Sequence, residues 1–152
     1  MAPRPSRIAA GTLTLLAVVA LARCAHRPCP EITDTLKAVT INQNSQASPA
    51  DTYLSFSTAD TVAWVPYAPT HALTITFSHL KFPAAANGEP PFNGGTNGAD
   101  QVLQSSSGTL YSPTLNTKLK VLFDHDPNLQ LIYAYDQQIG GVAQDGRIII
   151  MK

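Results

Sequence analysis

The sequence predicts an all-β protein, two antiparallel sheets packed as a sandwich of about seven or eight strands. Three observations carry this. Apolar and polar residues alternate at period two in segment after segment, which is the signature of a half-buried strand. Gly, Pro, Asn and Asp punctuate those segments at turn-like intervals. After Pro30 no convincing helical pattern interrupts them.

The elements follow in order. In residues 36–42, Val39 and Ile41 share one face and Thr40 takes the other. In 52–56, Tyr53 and Ser55 oppose Leu54 and Phe56. In 61–65, Val62 and Trp64 stand at period two before Pro66. The cleanest pattern is 73–77, where Leu73, Ile75 and Phe77 alternate with Thr74 and Thr76. Leu119, Val121 and Phe123 read as a further strand with Lys118 and Lys120 on its solvated face. Leu129, Leu131, Tyr133 and Tyr135 form the next, and 147–151, with three consecutive Ile, the last, covered on both faces. Asp145-Gly146 before it is a tight-turn signal. Residues 82–116 form one long loop, rich in Pro and in Asn-Gly and Gly-Gly pairs, with only 101–103 suited to a short strand. A connection of that length is functional or mobile, and Phe92, Leu103, Leu110 and Tyr111 give it the means to dock onto the sandwich.

Size and charge narrow the function. The 152 residues, 44% hydrophobic and 13% charged, fit one domain and leave too little chain for two cores. The formal net charge is zero and no basic run occurs, which argues against nucleic acid as a partner.

The first 30 residues read as an export signal. Arg4 and Arg7 form a positive start, residues 8–21 are apolar apart from Thr12 and Thr14, and Ala20-Leu21-Ala22 offers small residues for cleavage. The apolar run is short of the roughly 20 residues that span a bilayer, so a permanent membrane helix is the weaker reading. Residues 1–22 are thus expected as a signal peptide and 23–35 as an N-terminal segment, leading to a sandwich domain over 36–152. The mature chain is expected in the periplasm or outside the cell. There an oxidising environment favours a Cys24–Cys29 disulfide. A rival reading takes Leu21-Ala22-Arg23-Cys24 as a lipobox with Cys24 lipidated, which would be the only link to a membrane; Arg23 departs from that motif, where Gly, Ala or Ser stands. Metal binding by Cys24, His26 and Cys29 lacks a fourth ligand.

A family resemblance rests on three segments: Asp51-Thr52-Tyr53-Leu54-Ser55, Asp60-Thr61-Val62-Ala63-Trp64, and His71 leading into Leu73-Thr74-Ile75-Thr76-Phe77. Together with Leu131-Ile132-Tyr133-Ala134-Tyr135 and the closing Asp145-Gly146-Arg147-Ile148-Ile149-Ile150, they resemble a cupredoxin-like domain, most of all uncharacterised exported bacterial members. The resemblance implies a Greek-key sandwich and spans about 36–151, with 82–116 poorly matched. In the blue-copper members two His, one Cys and a weak axial ligand hold the metal, and the thiolate is indispensable. His71 matches the first His. The remaining ligands belong in a loop between the last two strands, here 136–145, which contains no Cys, His or Met. Gln144 falls near the axial position, but without a thiolate it makes no blue site. Ligand count therefore excludes type 1 copper, and no cofactor is expected. A weaker alternative is a Cu(II) or Zn site that joins His71 to His125 in the Asp124-His125-Asp126 turn. His71 and His79, eight residues apart, lie about 26 Å from each other along an extended strand.

Enzyme readings find no support. No G-x-S-x-G elbow is present, Glu89 and Asp100 lie on the long loop with nothing to fix them as a catalytic pair, and Gly94-Gly95 and Gly140-Gly141 lack a phosphate-loop context. Trp64, Tyr133 and Tyr135 read as core rather than as a sugar platform. The expectation is a non-catalytic binding or structural module whose contact surface, for a protein or a glycan, gathers Tyr67, His71, Asp136 and Gln144 at one end of the sandwich.

Overall fold

A computed structural model describes residues 35–139 and 142–152, with only the backbone of Val142 and Ala143. The expected signal peptide, Cys24, Cys29 and nearly all of the 23–35 segment lie outside the described residues. Nine strands are found among those described: β1 (Leu36–Ile41), β2 (Ala47–Ser48), β3 (Asp51–Ser55), β4 (Thr61–Pro66), β5 (Leu73–Phe77), β6 (Gln101–Ser105), β7 (Leu110–Tyr111), β8 (Leu131–Ile139) and β9 (Val142–Met151). They form two sheets, in the orders β2-β1-β4-β7 and β3-β9-β8-β5-β6.

Each sheet is mixed rather than antiparallel. β1 runs parallel to β4, with Val39 opposite Trp64, and β3 runs parallel to β9, with Leu54 opposite Ile150. The reason is topological. Alternation specifies which side chains are buried and carries no information about the direction of the neighbouring strand. β4 returns beside β1 only after the chain has passed through the other sheet at β3.

The buried faces are those the alternation marks. Val39, Ile41, Val62 and Trp64 from the first sheet meet Leu54, Leu73, Ile75, Phe77, Leu131, Tyr133, Tyr135, Ile148 and Ile150 from the second. Trp64 is the hub. Its ring meets Tyr135 at 5.7 Å and 80°, Phe92 at 6.2 Å and 87°, and Phe77 at 6.4 Å and 63°. Such edge-to-face pairs contribute about 0.5–1.5 kcal/mol each beyond their buried area. Phe92 comes from the 82–116 segment, so that segment supplies part of the core instead of lying over it. Leu110 is buried with it, Leu103 is half-buried, and Tyr111 points to solvent.

The strand expected at 118–123 is instead a 3₁₀ turn (Thr117–Leu119) running into the helix α1 (Lys120–His125). Leu119, Leu122 and Phe123 stand at i, i+3 and i+4, a helical spacing that buries them together. Val121, which a strand would place beside Leu119 and Phe123, is 58% exposed. The Asn116 side chain opens the turn by accepting from the Lys118 N–H.

The last two strands are longer than their apolar pattern. The 136–145 stretch expected as a loop continues the ladder, pairing Asp136 with Asp145 and Gln137 with Gln144. Asp145-Gly146 is therefore strand and not turn. Gly146 is required there for packing: a Cβ at this position would clash with the edge and hydroxyl of the Tyr135 ring on the facing strand.

Candidate functional site

The four residues expected at one end of the sandwich divide between two places. Tyr67 and His71 do come together, in the turn between β4 and β5. The His71 N–H bonds the Ala68 carbonyl (3.1 Å) and folds the turn back. The two rings then lie 4.8 Å apart at 34°, with Tyr67 Oη 3.3 Å from His71 Nε2. His71 Nδ1 is buried and meets no partner among the described residues.

Asp136 lies elsewhere. Its register partner on β5 is Thr76, five positions from His71, or about 16 Å of extended chain, and its side chain projects from the outer face of the five-stranded sheet. Gln144 is exposed. Its partner Gln137 is buried and donates to the Ser45 carbonyl at 2.6 Å. His125 ends α1, which leads into the start of β8, whereas His71 precedes β5 and so sits at the level where β8 ends. The alternative His71–His125 metal pair is thus separated by the length of the sheet. The same holds for His79, which follows the end of β5, and for Met151, the last residue of β9. Among the described residues no group of three His, Cys, Asp or Glu is placed to hold a metal ion.

Around Asp136 a second constellation is assembled, most of it invisible to the sequence reading. Asp136 and Asp145 stand directly opposite each other on β8 and β9, an arrangement that would repel if both were isolated charges. Lys81, from a 3₁₀ turn at His79–Lys81, reaches over the sheet to place its Nζ 3.0 Å from Asp136 and 3.8 Å from Asp145. The Asp136 carboxyl is held below its ordinary range first by its close coupling to Asp145 and then by Lys81, against the opposing effect of burial. Lys81 is in turn raised, chiefly by its bond to Asp136. Two ladder rows away, Arg147 grips Asp51 with both ends of its guanidinium, Nε to Oδ1 at 2.7 Å and the terminal nitrogen to Oδ2 at 2.9 Å. Between these charged pairs lies a depression of about 450 Å³, lined by Lys81, Asp145 and Arg147 and floored by Ala50, Ala134 and Gly146. That volume falls in the range of small-ligand pockets.

The chemistry of this dish is that of interleaved donors and acceptors over an apolar floor. Asp145 lines it beside Lys81 and Arg147, and Asp136 and Asp51 pair with those two cations, so neither an anion nor a cation meets a uniform field. Lys81 was out of reach of sequence reasoning, because it lies 55 positions from Asp136. Asp145 and Arg147 were legible in principle. Extending the last strand back through Gly146 puts both on one face, because residues two apart along a strand point the same way.

A third polar pair lies at the other end of β5. His79 donates its main-chain N–H (2.8 Å) and its ring Nδ1 (2.6 Å) to Asp100 Oδ1. Those bonds, the main-chain one first, hold the Asp100 carboxyl below its ordinary value.

The chain matches no family model, and no curated protein is similar enough to count as a match.

Proposed function

We propose that this chain is an exported, non-catalytic β-sandwich module of cupredoxin-like, Greek-key type without type 1 copper, and that it binds a saccharide of the cell envelope on the outer face of its five-stranded sheet. The observation that carries the reading is the depression lined by Lys81, Asp145 and Arg147 over Ala50, Ala134 and Gly146, with Asp136 and Asp51 paired to its two cations. Sugar hydroxyls both donate and accept, which suits alternating carboxylates and cations. The C–H face of a pyranose suits the alanine floor. Tyr53, 53% exposed on the same face, offers a ring on which a further sugar can stack. The three carboxylates disfavour phosphate-bearing ligands, in keeping with the lack of a basic run.

Titrating the labelled protein with soluble neutral, amino and uronic oligosaccharides, followed by amide chemical shifts, tests this. At least one class should shift the Ala134 and Gly146 amides, and Lys81→Ala with Asp145→Asn should abolish the effect. If no saccharide moves those amides, the assignment fails. Export is tested separately, by mass spectrometry of the mature N-terminus from cell fractions. Cleavage behind Ala22, with a Cys24–Cys29 disulfide or a lipid on Cys24, is the expected result; an intact N-terminus in the cytoplasm refutes it.

The competing reading is a Cu(II) or Zn protein with an altered site, supported only by the unpartnered His71 Nδ1. Stoichiometric metal in equilibrium dialysis, lost in His71→Ala, would replace our proposal.

A further inference from the structure

The five-stranded sheet ends at β6, whose neighbour on one side is β5 and on the other is no strand. In an antiparallel pair, alternate residues turn their N–H and C=O away from the partner. The outward groups of β6 find no replacement. No hydrogen bond beyond the β5 ladder engages the main chain of residues 102–104 among the described residues. Natural edges are blunted by Lys, Pro, inward charges or bulges. The sequence Gln101-Val102-Leu103-Gln104-Ser105 has none of these residues, and Val102 is half-exposed.

Alongside that edge runs a groove of about 380 Å³, lined by Val102, Leu103, Gly94, Gly95, Pro113 and Asp100. No β5 residue lines it, so it lies on the unpaired side of β6. Its far wall is built, not loose. The Asn93 side chain donates to Thr114 Oγ1 (2.9 Å) and the Leu115 carbonyl (3.1 Å). The Gln101 amide clasps the main chain of Phe92 in both directions, at 3.2 and 3.0 Å.

We infer that this groove receives an extended peptide segment of another protein, added to the sheet as a sixth strand beside β6. Main-chain hydrogen bonds supply the affinity in such β-addition, and the groove seats alternate side chains. The charge at the groove is a carboxylate, Asp100, bonded by the neighbouring His79 and Ser78, so the peptide is uncharged along its strand and carries a Lys or Arg at the end that reaches Asp100. A lone strand fits better than a second copy of this chain. Pairing two β6 edges would drive the two walls at Gly94, Gly95 and Pro113 against each other.

The test uses the full chain and a capped hexapeptide of alternating valine and threonine with a lysine at one end. Its control is the same peptide N-methylated at alternate amides. The parent peptide should bind saturably, shift the amides of residues 101–105 and slow their hydrogen exchange, while the N-methylated peptide leaves them unchanged. Asp100→Asn should weaken binding about two- to fivefold, as expected for one exposed charge pair, and Val102→Lys should weaken it further. Equal binding of the N-methylated peptide overturns the inference. So do unmoved amides at 101–105, shifts confined to Ala134 and Gly146, or protection of the β6 amides that rises with protein concentration alone and so reports self-association. Because the readout is local to β6, loss of saccharide binding at the outer face leaves this result independent.

Discussion

Tyr135 and Gly146 act as one unit across the β8–β9 ladder. The phenol ring lies over a residue with no side chain, and that absence lets the ring reach Trp64 and Phe77. Gly146→Ala therefore overpacks the sheet and is expected to cost about 1–3 kcal/mol, read as a lowered midpoint in denaturant titration with an unchanged slope. The Tyr135 hydroxyl carries a second consequence. It is buried without a hydrogen-bond partner, and so is Trp64 Nε1. The two side chains lie close enough for the indole to ease ionisation of the phenol, but they do not bond. Burial prevails and pushes the Tyr135 hydroxyl from 10.0 up to about 12. Above roughly pH 10 the unfolded chain releases this proton while the folded chain keeps it. Stability present below pH 10 is thus lost as the pH rises toward 12. The loss is on the order of 2–3 kcal/mol, and Tyr135→Phe should remove it while leaving neutral-pH stability little changed, because no bond is broken. Denaturation at about pH 9 and about pH 11, where about half of that loss has developed, checks both effects.

Among the elements, 117–125 shows how a pattern can be read two ways. Leu119, Val121 and Phe123 satisfy period two, while Leu119, Leu122 and Phe123 satisfy the helical spacing. Six residues do not discriminate between them by pattern alone. Tertiary packing decides: Phe123 meets Phe56 at 5.7 Å, and Leu119 is fully buried. In α1, Val121→Asp should change stability by less than about 0.5 kcal/mol, whereas Leu119→Ala should cost about 2–5 kcal/mol. A strand would make both substitutions costly, so thermal or urea unfolding of the pair distinguishes the two arrangements. The same competition explains 136–145. Polar residues in an outward-facing ladder look like loop residues, because the sequence does not say that a neighbouring strand continues beside them.

For the whole molecule, the 82–116 segment is integral. Tyr133 Oη donates to the Glu89 carbonyl (2.8 Å), and the Asn116 amide bonds the Pro90 carbonyl (2.9 Å). Burial disfavours the Glu89 carboxylate, yet Asn97, Asn116 and Lys118 together hold it below its ordinary value. The segment thereby fastens itself while delivering Phe92 to Trp64 and Phe77. Phe92→Ala should cost about 3–5 kcal/mol and should speed amide exchange across 84–103 and in β4 together, since segment and sandwich share one core. Exchange that rises in the segment alone would show that it folds as a separate unit.

How much was legible divides by physical cause. The strands β1, β3, β4 and β5, their buried faces and the central Trp64 follow from alternation, because side-chain direction along a strand is a local property of the backbone, and the end of β9 follows from its run of three Ile. The pairing of Tyr67 with His71, four residues apart, was equally local. Strand direction, the continuation of β8 and β9 past their apolar stretches, and the helix at Lys120 were settled only by which element lies alongside. The approach of Lys81 and Arg147 to the acids of the outer face belongs to that second group. Contacts between residues 55 and 96 positions apart come from the folded sheet, and no local pattern encodes them.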